Sequence, residues 1–561
     1  MEVHKDLEKL ILIYSLENAV KYDSIPDLGA VMGKIMAKDP ELRKDAKEVS
    51  KIAKDTIDKV SMMGKEERER ELKDLLKNFD FGEEEKKKEK EMKLPDLDVK
   101  EGEKVVIRLA PNPNGPPTLG HARGIVSNGE YANVYDGEFI LRFDDTDPRI
   151  KRPLLSAYDW YIRDCEWLGY KPDRIVTASE RMPIYYDHAE ELIRIGKGYV
   201  CFCDRESFKV LKDRGEVCPH RDQSVEDNLD YWNRMLSGEY REGEAVLRIK
   251  TDMKGENPAL RDFVVFRIIY KEHPKVGKKY CVWPMLDFES AVEDHLLGVT
   301  HIIRGKDLMD GERKQRFIYR YFDWIYPKTI YWGRMKIHEF GKFSKSSIKK
   351  GIDEGIYDGW DDPRLPTILA MRKRGISPEA IRNFMIKLGV GNSDISISMK
   401  NIYAENRKII DPKVNRYFFV CDPIELEVKG VEERTARVPL HPNFPERGVR
   451  ELKVKDRILI ARKDYERFSR KGSTVRLKNL YNIEIKGDRA FYAGERIEDI
   501  PIIHWLPSGF SKKMKVIAPE RVYEGVGEEG MKSGEVVQLE RFGYCRIDSV
   551  NDEIIAYFAH K

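Results

Sequence analysis

Three separated stretches of this chain hold the residue types that do chemistry. The first, RLAPNPNGPPTLGHARG, runs from Arg108 to Gly124 and places His121 where an apparent helix begins. The first amides of a helix have no intrahelical partner and sit at the positive end of its dipole, so a phosphate fits there. Gly115 and Gly120 would let such a ligand approach the backbone closely, and His121 could donate to a phosphate oxygen. The second stretch, GKFSKSSIKKG (341–351), is polar, rich in lysine and reads as an exposed mobile loop. The third pairs YVCFCD with VCPHRD and supplies Cys201, Cys203, Cys218 and His220. A Cys-x-Cys on a strand points both sulfurs to one face, and three sulfurs with an imidazole suit tetrahedral zinc. Buried thiols beside an exposed histidine fit that spacing too. Read alone, the first stretch also fits a rigid connector and the second a solvated surface loop.

The elements around these residues follow from periodicity. KVVIRLA reads as a buried strand ahead of the first stretch, RGIVSNGEYANVY as a helix, and EFILRF as a second strand ending in Asp144, Asp145 and Asp147. Strand, helix and strand within about 40 residues make a βαβ unit, with parallel strands. Ligands of open α/β sheets bind outside the carboxyl ends of strands, so the turn and the aspartates face one crevice. Before this region, Leu7, Leu10, Ile11 and Tyr14 fall at helical spacing. Asp39-Pro40 reads as a cap before a helix with Leu42, Ala46, Val49, Ala53, Ile57 and Val60 on one face. EEEKKKEKEMK (83–93) reads as a solvated linker. Beyond Glu405, short strands separated by glycine and proline turns predict an all-β, barrel-like module. Within it, 461–482 mixes basic residues with Tyr465, Phe468 and Tyr481, which could stack on unpaired bases.

Composition bounds the function classes. A chain of 561 residues should hold three or more domains. No apolar run reaches the ~20 residues that span a bilayer and the N-terminus lacks a signal pattern, so a soluble cytoplasmic protein is expected. Seven cysteines in this length are no disulfide framework, and Cys165, Cys281, Cys421 and Cys545 read as core residues. The net charge of +3 with 35% charged residues neither demands nor excludes a nucleic-acid partner, which would need local basic patches.

The first two stretches together resemble the paired signatures of class I aminoacyl-tRNA synthetases, His-Ile-Gly-His and Lys-Met-Ser-Lys-Ser. Here they stand as Thr118-Leu119-Gly120-His121 and Lys342-Phe343-Ser344-Lys345-Ser346, with Thr118 replacing the first histidine. LRFDDTDP, GVTHIIRGKD, WDDPRLPT and PLHPNFPERGVREL narrow the likeness to the glutamyl/glutaminyl branch. The helical N-terminus and β C-terminus resemble its archaeal glutamyl type.

That resemblance implies a multidomain fold. It has an N-terminal helical domain (1–82), a charged linker (83–100) and a Rossmann-like α/β catalytic domain in two halves (101–200 and 291–404). The second half carries the lysine-rich loop and a helical connection. Between the halves lies an inserted domain (201–290) that binds the tRNA acceptor end and carries the zinc knuckle. A β-barrel anticodon-binding domain (405–561) ends the chain. The resemblance further implies ATP with Mg2+, held by Pro111, Asn112, Gly115, Gly120, His121, Lys342, Ser344, Lys345 and Ser346, with His121, Lys345 and Thr118 acting in catalysis. L-glutamate would be bound by Arg108, Ala110, Asn112, Asp144 and Arg304. Arg304 stands where glutaminyl enzymes carry an uncharged residue, and Ala110 where they tend to have proline. Leu286 stands where the family has a substrate-touching tyrosine; either that hydrogen bond is left to water or nearby Tyr280 compensates. Glutamate would be activated as the adenylate and passed to tRNA(Glu), with tRNA(Gln) expected as a second acceptor and protein partners on the N-terminal helices. Rival readings are a glutaminyl enzyme, a class I-like nucleotidyltransferase without tRNA, and a non-catalytic tRNA-binding paralogue.

Overall fold

A computed structural model describes residues 2–22, 26–38, 40–78, 93–341, 344–469, 473–496 and 499–561. Asp39, Lys342, Phe343 and all but the last residue of the 83–93 charge run lie outside them. Residues 1–91 and 92–561 form two compact units.

In the first unit, helices Glu2–Tyr22, Leu28–Lys38, Ala46–Met62 and Lys65–Asn78 surround a core that includes Leu10, Ile11, Tyr14, Val31, Ile35, Val49, Ala53 and Ile57. The third helix buries Val49, Ala53, Ile57 and Val60 at helical spacing, as their period predicts. It begins later than Pro40, because Pro40–Asp45 forms a 3-10 turn; Ala46 is therefore exposed rather than facing the core.

The second unit is organised by a parallel sheet: β1 (Val106–Leu109), β2 (Glu138–Phe143), β3 (Arg174–Thr177), β4 (His301–Gly305) and β5 (Lys328–Trp332), in the order β3-β2-β1-β4-β5. Helix α1 (Leu119–Val134) makes the β1-to-β2 crossover. The strand order reverses between β1 and β4, and a crevice opens outside their carboxyl ends. Helices α2 (Leu286–Leu296), α3 (Met309–Tyr321) and α4 (Lys345–Asp353) complete its walls.

Between β3 and β4 lies a four-stranded antiparallel sheet, Gly198–Cys201, Val246–Ile249, Val264–Ile268 and Val282–Pro284, around a separate core containing Trp232, Phe266 and Trp283. The C-terminal β region contains two seven-stranded sheets, each with its own core. In one, the terminal strands Asn415–Tyr417 and Phe419–Cys421 are consecutive in the chain. In the other they are Ile502–Ile503 and Leu506–Pro507. A single segment thus pairs at both edges and nearly closes each sheet into a barrel, removing the edges that would otherwise seek partners.

Phe468 and Tyr481 sit in the second of these cores and are structural rather than a stacking surface, while Tyr465 packs against that core half-buried. Among the described residues beyond Glu405, the exposed rings are Phe491, Tyr492 and Phe510. Cys165 and Cys545 are core residues as expected, whereas Cys281 and Cys421 are only half-buried. Among the described residues, no helix is long and apolar enough to cross a membrane.

Candidate active site and metal centre

The crevice is a cavity of about 1010 Å³, lined by Arg108, Ala110, Pro111, Asn112, Thr118, Gly120, His121, Asp144, Arg304, Ser344, Lys345 and Ser346. Every residue expected of the ATP and glutamate sites faces it except Gly115 and Lys342, the latter outside the described residues. Gly115 is buried against Trp360, and a Cβ there would come within 2.9 Å of the indole and 3.4 Å of the Lys345 side chain. Its lack of a side chain admits Trp360, not a ligand. Gly120 is exposed, and a Cβ there would meet only Thr118 Oγ1, at 3.6 Å.

Two helix starts meet at one end of the cavity. Thr118 caps α1; its backbone N–H donates to His121 Nδ1 at 3.3 Å and its hydroxyl lies 2.9 Å from the same nitrogen. Burial, reinforced by the Lys345 ammonium, holds the His121 pKa well below the ordinary imidazole value. The ring is therefore neutral, and with Nδ1 accepting, its proton sits on Nε2. The second helix start corrects an expectation. From Ser344 onward the lysine-rich stretch is not loop but the cap and first two turns of α4, with Ser344 accepting from the Ser347 amide. Lys345 points inward, its Nζ donating to the Asn112 carbonyl at 3.2 Å and to Tyr161 Oη at 2.9 Å. Burial, then the neighbouring Lys151, pushes its pKa down to about 7.

The opposite end is built from charges that hold one another. Arg108 on β1 grips Asp294 on α2 with Nε and Nη2 at 3.0 and 3.2 Å. Asp294 also accepts from Arg142 Nη1 at 2.6 Å. Arg142 in turn grips Asp144 at 2.6 and 3.2 Å and donates to Ser290 Oγ at 2.8 Å. The two guanidinium groups hold the Asp294 carboxyl down to about 2 against the burial that would raise it. Asn112 donates to the Asp144 carbonyl at 2.9 Å, while its Oδ1 is buried without a protein partner. Arg304, at the carboxyl end of β4, donates to Gln315 Oε1 on α3 at 3.1 Å; its Nε is buried without a partner.

Sequence reasoning missed Arg142, Ser290, Asp294, Gln315 and Tyr161. Arg142 and Asp144 stand two apart on a strand and so share a face, a period-two signal that was available. Nothing local marks the other four. Leu286 lines the cavity, 43% exposed. Tyr280 does not reach that wall and packs against Tyr186 and Trp283 in the inserted region, so it cannot compensate there.

The cysteine cluster forms, though not as two strand repeats. Its strand ends at Cys201, because the chain turns after it to let Asp204 cap the next helix; Cys203 lies in that turn, and Cys218 caps a 3-10 turn holding His220. The four candidate ligand atoms still lie within 4.8 Å of one another. Cys218 Sγ is 3.6 Å from Cys201 Sγ, 3.5 Å from Cys203 Sγ and 3.2 Å from His220 Nδ1. A tetrahedron with zinc–sulfur bonds of about 2.3 Å has edges of about 3.8 Å, so this donor set fits zinc.

Residues 104–412 match the family model "tRNA synthetases class I (E and Q), catalytic domain", and residues 414–500 the anti-codon binding domain of the same synthetases. A glutamate–tRNA ligase of Archaeoglobus fulgidus is 53% identical over 561 residues, covering 99% of this chain and all of the relative. Those of Methanosarcina acetivorans and Pyrococcus furiosus are 53% and 48% identical, each over 99% of this chain and 99% and 100% of their own.

Proposed function

Because the chain belongs to the class I tRNA synthetases of the glutamate and glutamine branch, we propose that it ligates L-glutamate to tRNA(Glu) at the expense of ATP. The observation that supports this most directly is one cavity with two helix starts at one end and the Arg108–Arg304 cluster at the other. The glutamate α-carboxylate attacks the α-phosphate of ATP, giving glutamyl-adenylate and pyrophosphate. A ribose hydroxyl of the tRNA's terminal adenosine then attacks the activated carbonyl, forming the ester as the acyl–phosphate bond breaks and AMP leaves. No protein nucleophile is needed; positioning and charge suffice.

The neutral His121 offers its Nε2–H to a phosphate oxygen, and the first-turn amides of α1 lie beside it. Lys345 is held with a lowered affinity for its proton until a polyphosphate arrives, and that anion restores the charge which then stabilises the departing pyrophosphate. Mg2+ accompanying ATP would neutralise part of the phosphate charge. Asp144 takes the α-ammonium group, and Arg304 with Arg108 takes the side-chain carboxylate, which gives glutamate its advantage over glutamine. Lys342, Ser344, Ser346, Pro111, Asn112 and Gly120 complete the nucleotide contacts, and Ala110 the floor of the amino-acid site.

Cys201, Cys203, Cys218 and His220 would hold zinc in a closed site, where it cross-links the inserted region rather than taking part in the reaction. Elemental analysis should find one zinc per chain and none after Cys218→Ser. An unchanged metal content in the variant would remove the assignment.

We also assign tRNA(Gln) as a second acceptor, on the resemblance to the archaeal type, and place the activity in the cytoplasm. Charging of purified tRNA(Glu) and tRNA(Gln) with labelled glutamate and glutamine tests the whole reading. Glutamate on both tRNAs is expected; preference for glutamine would overturn it.

A further inference from the structure

Three guanidinium groups and two carboxylates meet at the amino-acid end, all at least nine-tenths buried: Arg108, Arg142, Arg304, Asp144 and Asp294. Glu289 is fully buried beside them with one oxygen unpartnered and the other near Thr146 Oγ1. Burial, and then the Asp144 charge, raise its pKa well above the ordinary carboxyl value, which favours its neutral form. Arg108 and Arg142 are each paired with the aspartates, Arg108 through Nε and Nη2 with Asp294 and Arg142 with both Asp144 and Asp294. Arg304 forms no salt bridge among the described residues. Its side-chain contact is Gln315, whose orientation is dictated because arginine can only donate. Gln315 Oε1 is fixed a second time by Tyr326 Oη at 2.7 Å, and Gln315 is 3% exposed. The nearest further acid on α3, Glu312, is already paired with Arg316 and accepts from Tyr331.

We propose that Gln315 is a specificity-determining positioning residue: by holding Arg304 with a neutral amide, it leaves the amino-acid site one positive charge in excess, to be matched by the side-chain carboxylate of the substrate. This rests on the functional reading above. A carboxylate at position 315 would occupy the same contact, pair with Arg304 and bring the buried charges to balance before any substrate arrives. Glutamate would then enter as a surplus anion, while neutral glutamine would no longer leave a buried cation unpaired. The charge excess belongs to the protein, so it acts on the choice of amino acid and not on ATP.

The test is glutamate- and glutamine-dependent ATP–pyrophosphate exchange in the presence of tRNA, for wild type, Gln315→Glu and Gln315→Met. Gln315→Glu should raise the KM for glutamate, and lower the preference for glutamate over glutamine, by about 100-fold while the KM for ATP stays put. Gln315→Met removes the acceptor but adds no charge, and should keep the preference even if activity falls. A merely structural role predicts the reverse, with both variants equally impaired and preference intact. Retained preference in Gln315→Glu, or equal loss of preference in Gln315→Met, overturns the inference. Gln315→Asp carries the same charge one methylene shorter and replaces Gln315→Glu if that variant does not fold. A wild type that prefers glutamate with an unchanged Gln315→Glu sinks this inference alone; a wild type that prefers glutamine sinks the functional reading with it.

Discussion

The two ends of the cavity solve opposite electrostatic problems. At the amino-acid end, Arg108, Asp294, Arg142 and Asp144 form an unbroken chain of charge pairs at 2.6–3.2 Å, complete without a ligand. At the nucleotide end, His121 is neutral and Lys345 is held by a carbonyl and a phenol rather than by an acid. On the proposed function, the first end is pre-assembled for a small substrate that must be told apart from a near-isostere. The second waits for a ligand that carries several charges of its own. Selectivity demands a fixed charge count before binding; tolerance of a polyanion needs only groups that charge on its arrival.

If the amino-acid end is assembled by its own pairs, breaking one should cost more than any change at the nucleotide end. Asp294→Ala strands Arg108 and Arg142, both buried, without their shared partner. Removing one member of a buried ionic cluster costs about 3–5 kcal/mol. Urea denaturation should show that loss, with the m-value unchanged. A loss under about 1 kcal/mol would mean the network is not held by that carboxylate.

Lys345→Met probes the other end and should separate activity from stability. Removing a charge aimed at a transition state lowers kcat by about 10²–10³-fold, while the KM for glutamate should scarcely move. The effect on stability has the opposite sign. A lysine whose folded pKa is pushed down to about 7 binds its proton less well in the folded than in the unfolded state. Wild type therefore gains stability from this group as pH rises from about 7 towards the unfolded value of about 10.4. The variant should be the more stable protein near pH 7, with the gap closing as pH rises. Equal stability at all pH values would mean that Lys345 pays nothing for its position.

The difference between the two ends also governs what could be read from the chain. The nucleotide end is made by contiguous residues whose backbone matters, and prolines, glycines and a histidine at a helix start announce that locally. The α4 start did not read as a helix because 341–351 is so polar, yet Ser344 supplies its cap and Ile348 its one large buried contact in the first turns. The amino-acid end joins β1, β2, β4, α2 and α3, so Asp294 and Gln315 acquire meaning only once the strand order brings Arg108, Arg142 and Arg304 together. Gly115 shows the converse: its place in the turn was legible, but its partner Trp360 lies 245 positions away and could not be inferred. In the barrels, basic residues interleaved with aromatics look alike whether the rings face a core or solvent. Phe468 and Tyr481 proved buried while Phe491 and Tyr492 are exposed.

The smallest change sharpens the comparison within the nucleotide end itself. Thr118→Val keeps the branched side chain and removes the hydroxyl, which lies 2.9 Å from His121 Nδ1. If that hydroxyl acts by holding the imidazole, its loss removes one neutral hydrogen bond, worth about 0.5–1.5 kcal/mol. The backbone N–H of residue 118 still reaches Nδ1, so the tautomer survives. The expected result is a fall in kcat of less than about tenfold, with a comparable small loss of stability at the α1 cap. Steady-state kinetics with varied ATP distinguishes this from direct phosphate contact. A hydroxyl touching the transferred phosphate would cost about 10²-fold or more, and would do so in His121→Ala as well. An effect that disappears in the His121→Ala background would show that Thr118 works through the imidazole. Undiminished loss there would show that the threonine contacts the nucleotide for itself.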